Sequence, residues 1–241
     1  MGLVLLTAIG VGGATVAGSL IGFFVKEIPR RFSELTLSLA AGIMLAASVW
    51  GLIIPSMGDG SLKSTAITAL GVFLGAAFIG ACEKLVPHLH FIAGGEGGEE
   101  LDSVLLLVVA MALHNLPEGM AAGVSLGAGD LSGALSVAGG IALQNIPEGM
   151  AVVPPMLMAG ISRRRTFVIS LLTGFSEVLG TFIGYRAVTL LEPLLPITLA
   201  FAGGAMLYVI ADEMIPRTSV QGKSAAYFLL LGFCLMLLFI P

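Results

Sequence analysis

Eight stretches of this chain are apolar over a length that can cross a bilayer. They fall at about residues 2–25, 34–56, 64–86, 101–126, 132–158, 165–186, 194–215 and 224–240. The first lacks the basic leader of a signal peptide and is too long for its apolar core, so it reads as a true span. The fourth and fifth are the least uniformly apolar, which suits helices buried inside a bundle. The expected fold is an all-α integral membrane protein, a single polytopic domain over residues 1–241. Between the third and fourth spans a polar stretch, about 87–100, carries Gly94-Gly95-Glu96-Gly97-Gly98-Glu99-Glu100 and reads as a mobile loop.

Composition agrees with this pattern. Hydrophobic residues make up 57% of the 241 and charged residues 11%, too few charges for the surface of a soluble domain of this size. A net charge of −4 gives no footprint for nucleic acid. Cys82 and Cys234 both lie in apolar runs and form neither a disulfide framework nor a CxxC metal motif.

The basic residues orient the spans. Lys26, Arg30, Arg31, Lys84, Arg163, Arg164, Arg165, Arg217 and Lys223 border the loops after spans 1, 3, 5 and 7; only Lys63 and Arg186 fall on the other side. The positive-inside rule makes the first set cytoplasmic and puts both termini outside.

Polar groups inside the spans carry the chemistry. Ala112-Leu113-His114-Asn115-Leu116-Pro117-Glu118-Gly119-Met120-Ala121 in span 4 is nearly repeated thirty residues later as Ala142-Leu143-Gln144-Asn145-Ile146-Pro147-Glu148-Gly149-Met150-Ala151 in span 5. A carboxylate or imidazole in hydrocarbon is costly, so these residues mark a functional site. A weaker repeat relates Gly42-Ile43-Met44-Leu45, leading to Pro55, to Gly204-Ala205-Met206-Leu207, leading to Pro216. Spans 2 and 7 run in opposite directions, as do spans 4 and 5. A bundle of three, two and three helices follows, an inverted repeat whose substrate site lies near the midplane.

Residues four apart share a helix face, so His114 converges with Glu118 and Gln144 with Glu148. Imidazole nitrogen, amide oxygen and two carboxylates suit zinc, and also accommodate iron, manganese or cadmium. Without thiolate ligands a dedicated copper(I) site is disfavoured. Pro117 and Pro147 each free a backbone carbonyl one turn earlier and are expected to kink their spans. The bland alternative is a buried His or Glu bonding across helices; two antiparallel copies favour the ion site.

The paired segments His114-Asn115-x-Pro117-Glu118-Gly119 and Gln144-Asn145-x-Pro147-Glu148-Gly149 resemble the signatures of the Zrt/Irt-like (ZIP) metal transporters, in the form of the bacterial GufA-like branch. The resemblance extends over essentially the whole chain. It implies uptake of a divalent metal, typically zinc, into the cytoplasm across a bacterial inner membrane, through a site formed by helices 4 and 5. By motif position, His114, Glu118, Gln144 and Glu148 would form the primary site. Asn115, Asn145 and Glu177 would line a second site, bridged to the first by Glu118 and Glu148. Glu177 also stands out as an acidic residue within span 6, and Met44 is either a soft contact to the primary ion or core packing. Many eukaryotic relatives have histidine in place of Gln144 and a carboxylate in place of Asn145. The second site is therefore expected to be weaker, and selectivity among divalent ions relaxed.

Other polar residues fit a route for the ion. Asp212 and Glu213 stand near the cytoplasmic end of span 7, where they would receive an ion or simply cap the interface. His88 and His90 open the cytoplasmic loop beside Glu96, Glu99 and Glu100, as a metal acceptor or as solvated loop. Asp59 and Asp130 lie in outer loops and read as solvated charges.

Rival readings fail on specific points. A membrane metalloprotease needs a motif such as H-E-x-x-H, whereas this chain has H-x-x-x-E, so no enzyme and no catalytic cofactor are expected. A proton-driven carrier of another solute explains the buried carboxylates but not their His and Gln partners. A scaffold explains none of the acidic repeats. Gly71-x-x-x-Gly75 can pack within the bundle or between protomers, which leaves a homodimer open.

Overall fold

The computed structural model describes residues 1–24, 30–92, 99–190, 192–218 and 223–239, and among them there is no β-strand. The helices are α1 (Gly2–Gly22), α2 (Arg30–Ser48), α3 (Ile54–Ser56), α4 (Leu62–Ile92), α5 (Glu99–Gly127), α6 (Leu131–Met158), α7 (Arg163–Leu190), α8 (Leu195–Val209), α9 (Ile215–Thr218) and α10 (Lys223–Leu237). A π-helical turn, Val49–Ile53, joins α2 to α3, and a second, Ile210–Met214, joins α8 to α9. Both π turns precede a proline, Pro55 or Pro216, whose missing N–H disturbs the α-helical ladder. The Ile54 and Ile215 amides reach back five residues, to Val49 and Ile210.

Five segments are long and apolar enough to cross a membrane: Gly2–Gly22, Glu34–Ser56, Leu62–Lys84, Arg163–Leu190 and Leu195–Asp212, with Lys223–Leu237 a shorter apolar helix. The helices of the polar repeats, α5 and α6, are not among the five; each runs unbroken through its proline, Pro117 or Pro147. Residues 87–92 and 99–100 of the expected polar loop are helical. In sequence, Leu85-Val86 and Phe91-Ile92 continue the apolar pattern of the span, and α4 runs to Ile92 and α5 from Glu99 among the described residues. His88 and His90 therefore sit on the last turns of α4, with side chains outside the described set; Gly94 to Gly98 lie outside the described residues.

Glycines set the helix spacing. Where α1 crosses α6, a Cβ on Gly18, Gly22 or Gly149 would meet the carbonyl oxygen of Ile146, Met150 or Thr15. Where α7 crosses α5, one on Gly180, Gly184 or Gly119 would meet that of Leu116, Met120 or Glu177. The distances are 2.0 to 2.8 Å, too short for any side chain. Each contact in the first set maps onto one in the second when its α1 position rises by 162 and its α6 position falls by 30. The pairs Gly42–Leu229 and Gly232–Leu39, between α2 and α10, recur as Gly204–Val72 and Gly75–Phe201, between α8 and α4. Gly12 and Gly174, also 162 apart, face each other across α1 and α7. Gly71 and Gly75 are thus used inside the chain, against α8, so that small-residue face gives no support to a dimer.

Large apolar side chains of α1, α4, α7 and α10 are exposed, among them Leu6, Phe73, Leu172 and Leu230, the surface expected against lipid tails. Toward the α5–α6 turn, where Gly129 takes a positive φ of 89°, the interior is apolar: Leu52, Val124, Val137, Ile141 and Leu199 are all nearly inaccessible. At the α3–α4 turn, Asp59 accepts from the Ser61 amide at 3.0 Å and the Ser64 hydroxyl at 2.7 Å. These donors hold its carboxyl at about 2, below the usual carboxylate range. A depressed carboxylate supports the fold above its unfolded value and loses that support as pH falls through the folded one. Turn protection, read by amide exchange at Ser61, is therefore expected to be constant from neutral pH down to about 4 and to fade only near pH 2.

Candidate metal centre

The two polar repeats meet in the interior where α5 and α6 pack together. His114, Asn115, Glu118, Gln144 and Asn145 are all buried, at 7%, 2%, 1%, 1% and 0% exposure. Helical spacing brings this about: positions 114 and 118 share one face of α5, and positions 144 and 148 the corresponding face of α6. Gly119 and Gly149, next to the carboxylates, let α7 and α1 approach closely.

The Gln144 side-chain N–H donates to Glu118 Oε1 at 2.8 Å, which links the two helices. Glu148 is half-buried and acts electrostatically on both Glu118 and Glu177. Beyond these bonds, Glu118 Oε2, Gln144 Oε1 and Asn145 Oδ1 are buried and accept from no donor. Three acceptor atoms without a donor are expensive in a low-dielectric interior, and a cation would satisfy them. Among the described residues no three His, Cys, Asp or Glu side chains close on one point. The Gln144–Glu118 bond explains part of this, because a cation on Glu118 Oε1 requires the Gln144 amide to turn and present its oxygen instead of its N–H.

Glu177, on α7, is fully buried. It accepts from Asn115 Nδ2 at 2.8 Å and, through short hydrogen bonds, from Asn145 Nδ2 and the Thr15 hydroxyl of α1. Asn115 also donates to the Thr173 carbonyl at 3.3 Å, and Asn145 to the Val11 carbonyl at 3.2 Å. Asn115, Asn145 and Glu177 therefore come together as one hydrogen-bonded cluster. Met44 lies in the apolar core with Met206, Leu52 and Ile141. Asp212 is exposed in the second π turn, and the Glu213 side chain is outside the described set.

Two contributors escaped the sequence reading. Glu83 of α4 places Oε1 3.5 Å from His114 Nε2, and its Oε2 accepts from the Tyr208 hydroxyl at 2.9 Å. Beside Lys84 at a span end, Glu83 looks like an interfacial charge; its position one helix turn short of the His88 pair was the available signal. Thr15 is the other, and the shift of 162 that equates it with Glu177 would have marked it. Tyr208→Phe removes the hydroxyl that steadies Glu83. It is expected to lower kcat/KM for metal uptake about tenfold, as loss of one hydrogen bond to a charged group would, measured in reconstituted vesicles.

Known proteins share this arrangement of sequence. The family profile described as ZIP Zinc transporter matches residues 94–240. The zinc transporter GufA of Myxococcus xanthus is 40% identical, over 98% of this chain and 97% of that protein. The zinc transporter ZIP11 of Bos taurus is 33% identical over 93% of this chain and 92% of its own. The zinc transporter ZIPB of Bordetella bronchiseptica is 35% identical over 93% and 76%. These relatives are membrane transporters, not enzymes. With a profile match over more than half its length and a relative this similar from end to end, the chain belongs to the ZIP zinc transporter family.

Proposed function

We propose that this protein carries zinc inward across a bacterial inner membrane, through a site built from His114, Glu118, Gln144 and Glu148. The observation that carries the reading is the set of buried acceptors, Glu118 Oε2, Gln144 Oε1 and Asn145 Oδ1, that no protein donor satisfies. Nitrogen and oxygen ligands of this kind bind zinc and tolerate cadmium, iron and manganese, all as substrates. Met44 serves as core packing beside the site and as a soft contact when the ion is bound. Asn115, Asn145 and Glu177 form the adjoining cluster.

The architecture proposed is the inverted repeat of eight spans, with α1, α2–α3 and α4 mirrored by α7, α8–α9 and α10 about α5 and α6. The doubled glycine contacts at constant shifts support it, as do the two π turns before Pro55 and Pro216. Rocking of the repeats would expose the site to each side in turn. With both termini outside, the apolar interior beside the α5–α6 turn seals the outer side, and Glu83 lies on the inner side of His114. From His114 the ion would pass to Glu83, then to Asp212 and Glu213 and to His88 and His90.

The test is radioactive zinc uptake into proteoliposomes, with cadmium, iron and manganese as competitors. Saturable uptake is expected, and the order of the competitors sets the selectivity of the site. Folded, reconstituted protein that moves no zinc under imposed metal, proton or voltage gradients would overturn the proposal.

A further inference from the structure

Glu177 and its partners form a node whose chemistry differs from that of an ion site. The carboxylate sits in the interior of a four-helix crossing, and each of its oxygens already has a donor. Oε1 receives the Thr15 hydroxyl of α1 and the Asn115 amide of α5, and Oε2 receives the Asn145 amide of α6. Charge-assisted hydrogen bonds of this kind are about twice as strong as neutral ones. The asparagines spend their second N–H symmetrically, on the carbonyls of Thr173 and Val11, two positions 162 apart. Both amides are therefore fixed by two donations each.

The three donors take three of the roughly four lone-pair sites of the carboxylate, so an ion on Glu177 would have to share it with N–H and O–H groups already turned toward it. Those buried donors would then sit beside a positive charge with their own positive ends near the ion, and they already spend much of the negative charge that would attract it. Asparagine at 145 brings this conflict, since its N–H is held toward Glu177 by two acceptors and an aspartate there would bring no N–H. Meanwhile Asn145 Oδ1 is left as a buried acceptor without a donor.

We propose that Glu177 is an anchor and not an ion ligand in this chain, and that Thr15 is a positioning residue that holds it. The node fixes the Asn145 amide so that its oxygen serves the ion held by Glu118 and Glu148, and the centre takes one ion at a time. This rests on the zinc-carrier reading above, and deepens it.

Two variants and two readouts test the idea. Thr15→Val keeps the shape of the side chain and removes its donor; Thr15→Ser keeps the donor. Radioactive zinc uptake in proteoliposomes should show KM raised about tenfold in Thr15→Val, as loss of one charge-assisted hydrogen bond would allow. The maximal rate should change little, and Thr15→Ser should restore KM. Equilibrium dialysis of the detergent-solubilised protein against radioactive zinc gives the number of ions bound at saturation. Glu177→Gln should bind as many as the native chain. A count lower by one in Glu177→Gln, or a native KM in Thr15→Val, would overturn the proposal. Absence of uptake by the native chain would instead sink the carrier reading, because the ion count is read without transport.

Discussion

Saturable zinc uptake by Glu118→Gln is expected to fall by about 100-fold or more in kcat/KM, with the helical fold retained. The loss of a ligand should exceed the 10- to 100-fold that removal of a ligand's supporting partner costs. Glu118 carries two roles at once. Its Oε1 takes the Gln144 N–H, and its Oε2 is a buried acceptor with no donor. Glutamine keeps the size and removes the charge that offsets desolvation of a dication. The Gln144 bond survives, since an amide oxygen still accepts, so circular dichroism and monodispersity should match the native protein. His114→Ala should fall by a similar factor, because it removes the nitrogen ligand and leaves Glu83 without its 3.5 Å contact. Uptake at native rates by either variant would move the ion path away from α5 and α6.

Gly149→Val is expected to have the largest effect on the fold. A Cβ at this position would lie 2.1 Å from the Thr15 carbonyl oxygen, backbone against backbone, with no flexible side chain to yield. Overpacking of this kind costs about 3 kcal/mol, and the α1–α6 pair can relieve it only by moving apart. That movement also strains the Ser19 hydroxyl bond to the Gly149 carbonyl, 3.1 Å long, and draws Thr15 away from Glu177. A lowered melting temperature in detergent and a raised KM for zinc should appear together. Gly119→Val, whose Cβ would lie 2.1 Å from the Glu177 carbonyl oxygen, should behave alike at the α5–α7 crossing. Melting within a degree or two of native for both variants would contradict the close packing.

The polar repeats were legible in the sequence because a charge in an apolar run has few explanations. His114, Glu118, Gln144 and Glu148 announce themselves by type and spacing, and an all-helical membrane fold follows from apolar length alone. Thr15 gives no such sign. A threonine in a membrane helix commonly bonds to its own backbone, and only the three-dimensional approach of α1 to α7 turns this one toward Glu177. Glu83 was hidden by its neighbour Lys84, since charges at span ends are ordinary. The extension of α4 through His88 and His90 was missed for a related reason: Pro87 and two histidines look like a break, yet the apolar residues around them keep the helical pattern. The π turns needed the backbone itself, although Pro55 and Pro216 at matching places in the weak repeat were the hint.

The apolar packing around Leu52, Val124, Val137, Ile141 and Leu199 has an electrical consequence. Voltage drops mainly where water is absent, so an apolar layer that excludes water would concentrate the membrane field across its own thickness. A dication that traverses it moves two charges through most of the potential, worth about 4.6 kcal/mol per 100 mV. The inside-negative potential of a respiring cell would then be a direct driving force for the ion step, whatever the protein does with protons.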